Sequence, residues 1–135
     1  QAKTRLVGVE PEVIAKYNVV SAPVAARMAL GAAAASGSDI AVSVTGVAGP
    51  TGGDEVRPVG TVYLGAARGD TVYVQKLFVS RPDRALVRAR AAQAALALAL
   101  RLAQGKVPAH TKPLAASEQH SAAALDALNE AFLAE

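Results

Sequence analysis

Val44-Thr45-Gly46-Val47-Ala48-Gly49-Pro50-Thr51-Gly52-Gly53-Asp54 is the stretch on which the reading of this chain turns. It follows an apolar run, Ile40-Ala41-Val42-Ser43-Val44, with the length and composition of a buried strand. Four glycines and a proline then fall within eight residues. Glycine has no Cβ, so a loop of this kind brings bare backbone N–H groups close to a ligand. Thr45 adds a hydroxyl at the carboxyl end of the strand, where ligands sit in open α/β sheets. The same glycines also suit a plain tight loop between two strands.

Upstream of the loop the pattern is helical. Pro11 opens a short helix over residues 11–16, at a position where its missing N–H costs nothing, and Asn18 ends it. Ser21 reads as the N-cap of a second helix with Pro23 in its first turn. Val24, Met28 and Ala32 recur at helical spacing, and Ser36-Gly37-Ser38 stops the run near Ala35. Downstream, residues 60–67 and 71–79 flank Arg68-Gly69-Asp70 and read as an antiparallel hairpin. Val72, Val74 and then Leu77 or Phe78 break strict alternation, which allows a bulge. Arg68-Gly69-Asp70 itself is turn chemistry.

Ser80-Arg81-Pro82-Asp83 starts a long helix that ends near Ala103. Val87, Ala91, Ala94, Leu98 and Leu102 make one apolar stripe; Leu86, Ala89, Leu96 and Leu100 make another. A helix apolar on nearly all sides is buried twice over or packs on a partner. The domain therefore runs over residues 1–104. A linker with Gly105, Pro108 and Pro113 follows over residues 105–116, and residues 117–135 form an additional amphipathic helix.

Composition excludes several classes. A chain of 135 residues, 52% hydrophobic, forms one domain with a core and is not disordered. Abundant alanine and only 4% aromatics favour helices packed closely on a sheet. A net charge of +3 permits an anionic ligand without the basic stripe that direct nucleic-acid binding requires. There is no cysteine, and both histidines, His110 and His120, fall late in the chain, so a Cys or His metal site is not expected. Asp54 and Glu55 are adjacent and point apart, too few oxygens for a hard cation. Residues 91–100 are too short an apolar run to span a bilayer, and the first residues do not form a signal peptide. The expectation is a cytoplasmic protein without membrane contact.

Positive charge gathers on the long helix, where Arg81, Arg84, Arg88, Arg90 and Arg101 face one acid, Asp83. Arg81, Arg84 and Arg88 share a face, which suits a phosphate or carboxylate and equally a solvated basic surface.

Taken in order, Lys3-Thr4-Arg5-Leu6-Val7-Gly8-Val9, Val20-Ser21, the glycine block, Pro58-Val59-Gly60-Thr61-Val62-Tyr63, and Asp83-Arg84 with Arg88 resemble the CinA C-terminal domain family. These are nicotinamide-nucleotide amidases, also described as competence/damage-inducible proteins. The resemblance covers about residues 2–102. It implies an α/β fold, a three-layer α/β/α sandwich with a mixed sheet. It implies deamidation of nicotinamide mononucleotide to nicotinate mononucleotide and ammonia, with no metal and no organic cofactor. Lys3 matches the family's lysine and is the expected catalytic residue. Thr45, Gly46, Ala48, Gly49, Gly52 and Gly53 are expected to bind substrate, and Arg84 and Arg88 its phosphate. The family's serine-bearing motif, Glu-Ser-Cys-Thr-Gly-Gly, has no match here, so the chain reads as the domain without its first roughly 45 residues. The expected partners are the nucleotide and further copies of the chain. The alternative is a catalytically inactive nucleotide- or protein-binding module linked to competence or the DNA damage response.

Overall fold

The computed structural model describes residues 9–49, 51–80 and 83–134. Strands β1 (Ile40–Gly46), β2 (Thr61–Arg68), β3 (Thr71–Phe78) and β4 (Lys112–Ala115) lie side by side in that order. All three pairings are antiparallel. The mixed sheet implied by the resemblance is thus not represented among the described residues. The loop after β1 and the Arg68-Gly69-Asp70-Thr71 turn each reverse the chain onto a neighbouring strand, which makes the β1–β2 and β2–β3 pairings antiparallel, and residues 1–8 lie outside the described residues.

Helices cover both faces, giving the expected three layers. On one face Tyr63, Ala67, Val72, Val74 and Leu114 pack against α2 (Ala22–Ser36) and α4 (Ala122–Leu133). On the other, Val62, Leu64 and Ala66 pack against α3 (Arg84–Ala103). Seven of the eight β2 residues are therefore buried. This two-sided burial also explains the imperfect alternation in β3. Val72 and Val74 face α2 while Tyr73 and Leu77 face α3, and the register from Thr61↔Phe78 to Arg68↔Thr71 runs without a bulge.

α2 approaches the sheet closely because both surfaces are small. Ala22, Ala25, Ala26 and Ala29 are fully buried. A Cβ on Gly65 would collide with the Ala25 carbonyl oxygen, so only glycine fits beneath this helix. The ends of α2 follow the sequence signals: the Ser21 Oγ accepts from the Val24 N–H at 3.4 Å, and Gly37 closes the helix at φ 68°. Asp83 caps α3 in the same way, accepting from the Leu86 N–H at 2.8 Å. Only the first apolar stripe of α3 is buried, through Val87, Ala91, Leu98 and Leu102. Leu96 and Leu100 are exposed, so of the two expected alternatives burial on two sides does not occur among the described residues.

The stretch expected as a linker over residues 105–116 is structured instead. It contains β4, which extends the sheet through Val72↔Leu114 and Tyr73↔Pro113. Pro113 is tolerated because β4 is an edge strand. The tail helix begins at Ser121, whose Oγ accepts from the Ala124 N–H at 3.2 Å, four residues later than the sequence suggested. Leu125, Leu128 and Phe132 are buried, and the Phe132 ring meets Tyr63 edge-on at 5.7 Å. The tail thus shares the core of the preceding residues. Among the described residues no helix is long and apolar enough to cross a membrane.

Candidate functional site

The glycine loop leaves β1 at Gly46 and returns to β2 at Thr61. Its closure depends on backbone contact. The Val47 N–H donates to the Thr61 carbonyl at 2.9 Å, and the Gly60 N–H donates to the Val47 carbonyl at 2.8 Å. Gly49 and Gly52 hold φ values of 87° and 101°, which side chains rarely adopt. A Cβ on Gly53 would lie 2.5 Å from the Val59 nitrogen. Ala48 tucks against the α3-side core while Val47 tucks against the α2-side core, so the loop sits over the end of the sheet.

Sequence reasoning missed the residue that fixes the other side of this loop. The Arg57 guanidinium reaches back to the turn between α1 (Pro11–Tyr17) and α2. Its Nε donates to the Val20 carbonyl at 2.5 Å and its Nη2 to the Tyr17 carbonyl at 2.7 Å. Asp54 shapes the loop around it: its Oδ1 accepts from the Val56 N–H at 2.9 Å and the Arg57 N–H at 2.6 Å. The Asp54 N–H donates to the Arg57 carbonyl at 3.0 Å. Asp54 is thus a turn-former in an Asx-type turn. Arg57 carried no sequence signal beyond being a charge inside a glycine-proline loop, because its partners are backbone atoms 37 and 40 residues away.

Thr45 was expected to face substrate. The structure directs its hydroxyl to the Val19 carbonyl, to which it donates at 2.8 Å, and the residue is buried. Four consecutive carbonyls are therefore engaged: Tyr17 and Val20 by Arg57, Asn18 by the Ser21 hydroxyl, and Val19 by Thr45. Tyr17 ends α1, which leaves its carbonyl without a helical partner, and Asn18, Val19 and Val20 lie in the turn between α1 and α2. Asn18 turns the chain at φ 80°, a conformation that costs energy for a non-glycine residue. A cleft of about 480 Å³ opens beside this turn, lined by Lys16, Tyr17, Asn18, Val19 and Arg57 among others.

Of the expected phosphate contacts, Arg84 stands at the loop, its Nη1 donating to the Gly49 carbonyl at 3.4 Å. Arg88 is exposed one turn further along α3. Arg84 thus meets the loop at Gly49, and Gly46, Ala48, Gly49, Gly52 and Gly53 belong to that loop or to its start; Lys3 and Arg81 lie outside the described residues. Among the described residues no three His, Asp or Glu side chains gather to hold a metal ion.

Two polar ties fasten the ends of α1 to neighbouring helices. The buried Arg27 guanidinium donates to both Glu10 oxygens at 2.8 Å, and this bond holds the Glu10 carboxyl below the ordinary carboxylate range against the opposing effect of burial. On α4, Asp126 accepts from the Tyr17 hydroxyl and pairs with the Lys16 Nζ at 3.0 Å. These contacts lower the Asp126 carboxyl and raise the Lys16 ammonium. Burial first, then the bond to Asp126, raises the Tyr17 phenol.

The geometry has counterparts among known proteins. A CinA-like protein of a Geobacter species is 51% identical over 88 residues, covering 65% of this chain and 21% of that protein. The nicotinamide-nucleotide amidohydrolase PncC of Escherichia coli is 43% identical over 98 residues, covering 71% of this chain and 58% of the enzyme. The chain thus spans well under two thirds of these relatives. The crystal structure of a CinA superfamily protein from Escherichia coli superposes with a TM-score of 0.69 at 34% identity, over 76% of this chain and 59% of that one. A competence/damage-inducible protein from Agrobacterium tumefaciens gives 0.66 at 34% identity, over 78% and 63%. The CinA C-terminal domain family matches residues 1–103, and the chain belongs to that family.

Proposed function

We propose that this chain forms the loop-bearing part of a nicotinamide-nucleotide amidohydrolase, which converts nicotinamide mononucleotide to nicotinate mononucleotide and ammonia. The observation that carries the reading is the glycine loop at the end of β1 with Arg84 against it, inside a segment 43% identical to an amidohydrolase of that class. The reaction breaks the carboxamide C–N bond; water supplies the new carboxylate oxygen and the nitrogen leaves as ammonia. The loop's backbone N–H groups would stabilise the oxyanion that forms as the carbonyl carbon becomes tetrahedral. Arg84, with Arg88 one turn away, would hold the phosphate. Lys3 would act as the base, a role open to a lysine whose pKa is depressed by burial or by nearby positive charge. The reading places the protein in the cytoplasm, as a self-associating enzyme.

A second reading is nucleotide binding without turnover: Thr45, a hydroxyl at the end of β1 that could in principle attack a carbonyl carbon, donates instead to the Val19 carbonyl. One experiment separates the two: titrate nicotinamide mononucleotide into the protein by calorimetry, then measure ammonia release with the family's serine-bearing segment present upstream. Release supports the amidohydrolase, and binding without release supports the module. Neither signal would sink both. Arg84→Ala is expected to weaken binding about tenfold in either case, as loss of a charge-assisted phosphate contact does.

A further inference from the structure

We propose that Arg57 is a positioning residue for the glycine loop, and that α4, which lies outside the segment matching the family, holds it in register through Tyr17. Tyr17 is the pivot. Its hydroxyl donates to Asp126 of α4, while its carbonyl accepts from the Arg57 Nη2. The same buried residue therefore touches the tail at one end and the loop at the other. Lys16, next in the chain, adds the second bond to Asp126. Arg57 completes the strut, because its own N–H and carbonyl both bond Asp54 inside the loop. A guanidinium is well suited to this bridging: it is planar, permanently charged and able to span two carbonyls at once.

The proposal is independent of whether the protein turns over a nucleotide. It predicts that a substitution on α4 loosens a loop it does not touch. The test is amide hydrogen exchange on the full chain, followed at Asp54, Arg57 and Gly60, with Leu64 and Val74 of the central hairpin as internal reference. Arg57→Ala is expected to speed exchange at Asp54 and Arg57 by about tenfold or more, the scale of a charged hydrogen bond, with the reference amides unchanged. Arg57→Lys, which keeps the charge and reaches one carbonyl, should recover part of that protection. Asp126→Ala should speed loop exchange by a smaller factor, about threefold. In the double variant Arg57→Ala with Asp126→Ala, the second change should add nothing at the loop. If Asp126→Ala leaves loop exchange at the parent rate, or accelerates loop and hairpin alike, the strut does not exist. If Arg57→Ala fails to fold, Arg57→Lys and Asp126→Ala alone decide: unchanged loop protection in both overturns the proposal.

Discussion

The two faces of the sheet are held by different physics. The α2 face carries the polar ties: Ser43 to the Ala25 carbonyl at 2.6 Å, Thr45 to Val19, Arg27 to Glu10, and Tyr17 to Asp126. It also carries the tightest approach, alanine over Gly65. The α3 face is held mainly by aliphatic contact, with Arg68 donating to the Leu102 carbonyl and Arg84 to Gly49 at its edges. Hydrogen bonds and close approaches fix direction and distance, whereas apolar contact tolerates small shifts. The α2 face thus carries most of the directional bonds, and the α3 face supplies burial, meets the loop through Arg84 and leaves Leu96 and Leu100 outward.

The largest test of this contrast is Phe132→Ala on the α2 face. It empties the site edge-on to Tyr63 and should cost about 3–4 kcal/mol in urea unfolding. Leu98→Ala on the α3 face should cost about 2–4 kcal/mol by the same measurement. The faces should differ in plasticity, however. Leu98→Met, which nearly conserves volume, is expected to cost under about 1.5 kcal/mol, while Gly65→Ala, which adds a single methyl group against the Ala25 carbonyl, should cost about 2–3 kcal/mol. Equal costs for these two would erase the distinction.

Acid provides a third test. The Glu10 and Asp126 carboxyls are both held below the ordinary range, so their contribution is complete above that range and is lost as pH falls through the depressed values. Arg27 and His120 face Glu10, and Lys16 and Tyr17 face Asp126. Stability should therefore fall below about pH 4, and the variant Glu10→Gln with Asp126→Asn should flatten that fall. A profile of unchanged slope in the double variant would place the acid sensitivity elsewhere.

The smallest effect concerns the outward stripe. Leu96→Gln with Leu100→Gln should change unfolding stability by less than about 0.5 kcal/mol per site, since both residues are exposed. Sedimentation of the same variant reads self-association. A mass that drops relative to the parent supports a copy-to-copy contact on α3, and an unchanged mass argues against one there.

Caps and turns were the most legible part of the sequence. Ser21, Gly37 and Asp83 act locally, through bonds three or four residues long, and local chemistry is written in local residues. The glycine block was legible for the same reason. β4 was not: four residues containing a proline form a strand only because the β3 edge is already there to pair with. The site was half legible. Arg84 follows from helix spacing and meets the loop, but Thr45 turns towards α2, and Arg57 acts on carbonyls that no pattern in the chain marks.

The position of β4 and α4 also bears on how the chain is made. Residues 112–133 leave the ribosome after every other element described, at roughly 5–20 residues per second. Until they do, Tyr63, Leu30 and the alanine face of α2 lack the cover that Leu125, Leu128 and Phe132 provide. The nascent domain thus passes through an interval in which the α2 face of the sheet is greasy and unshielded. A chain stalled after Ala103 should be cut by protease faster than one stalled after α4 has emerged. Equal cutting would mean that the sheet and α2 hold together before the tail arrives.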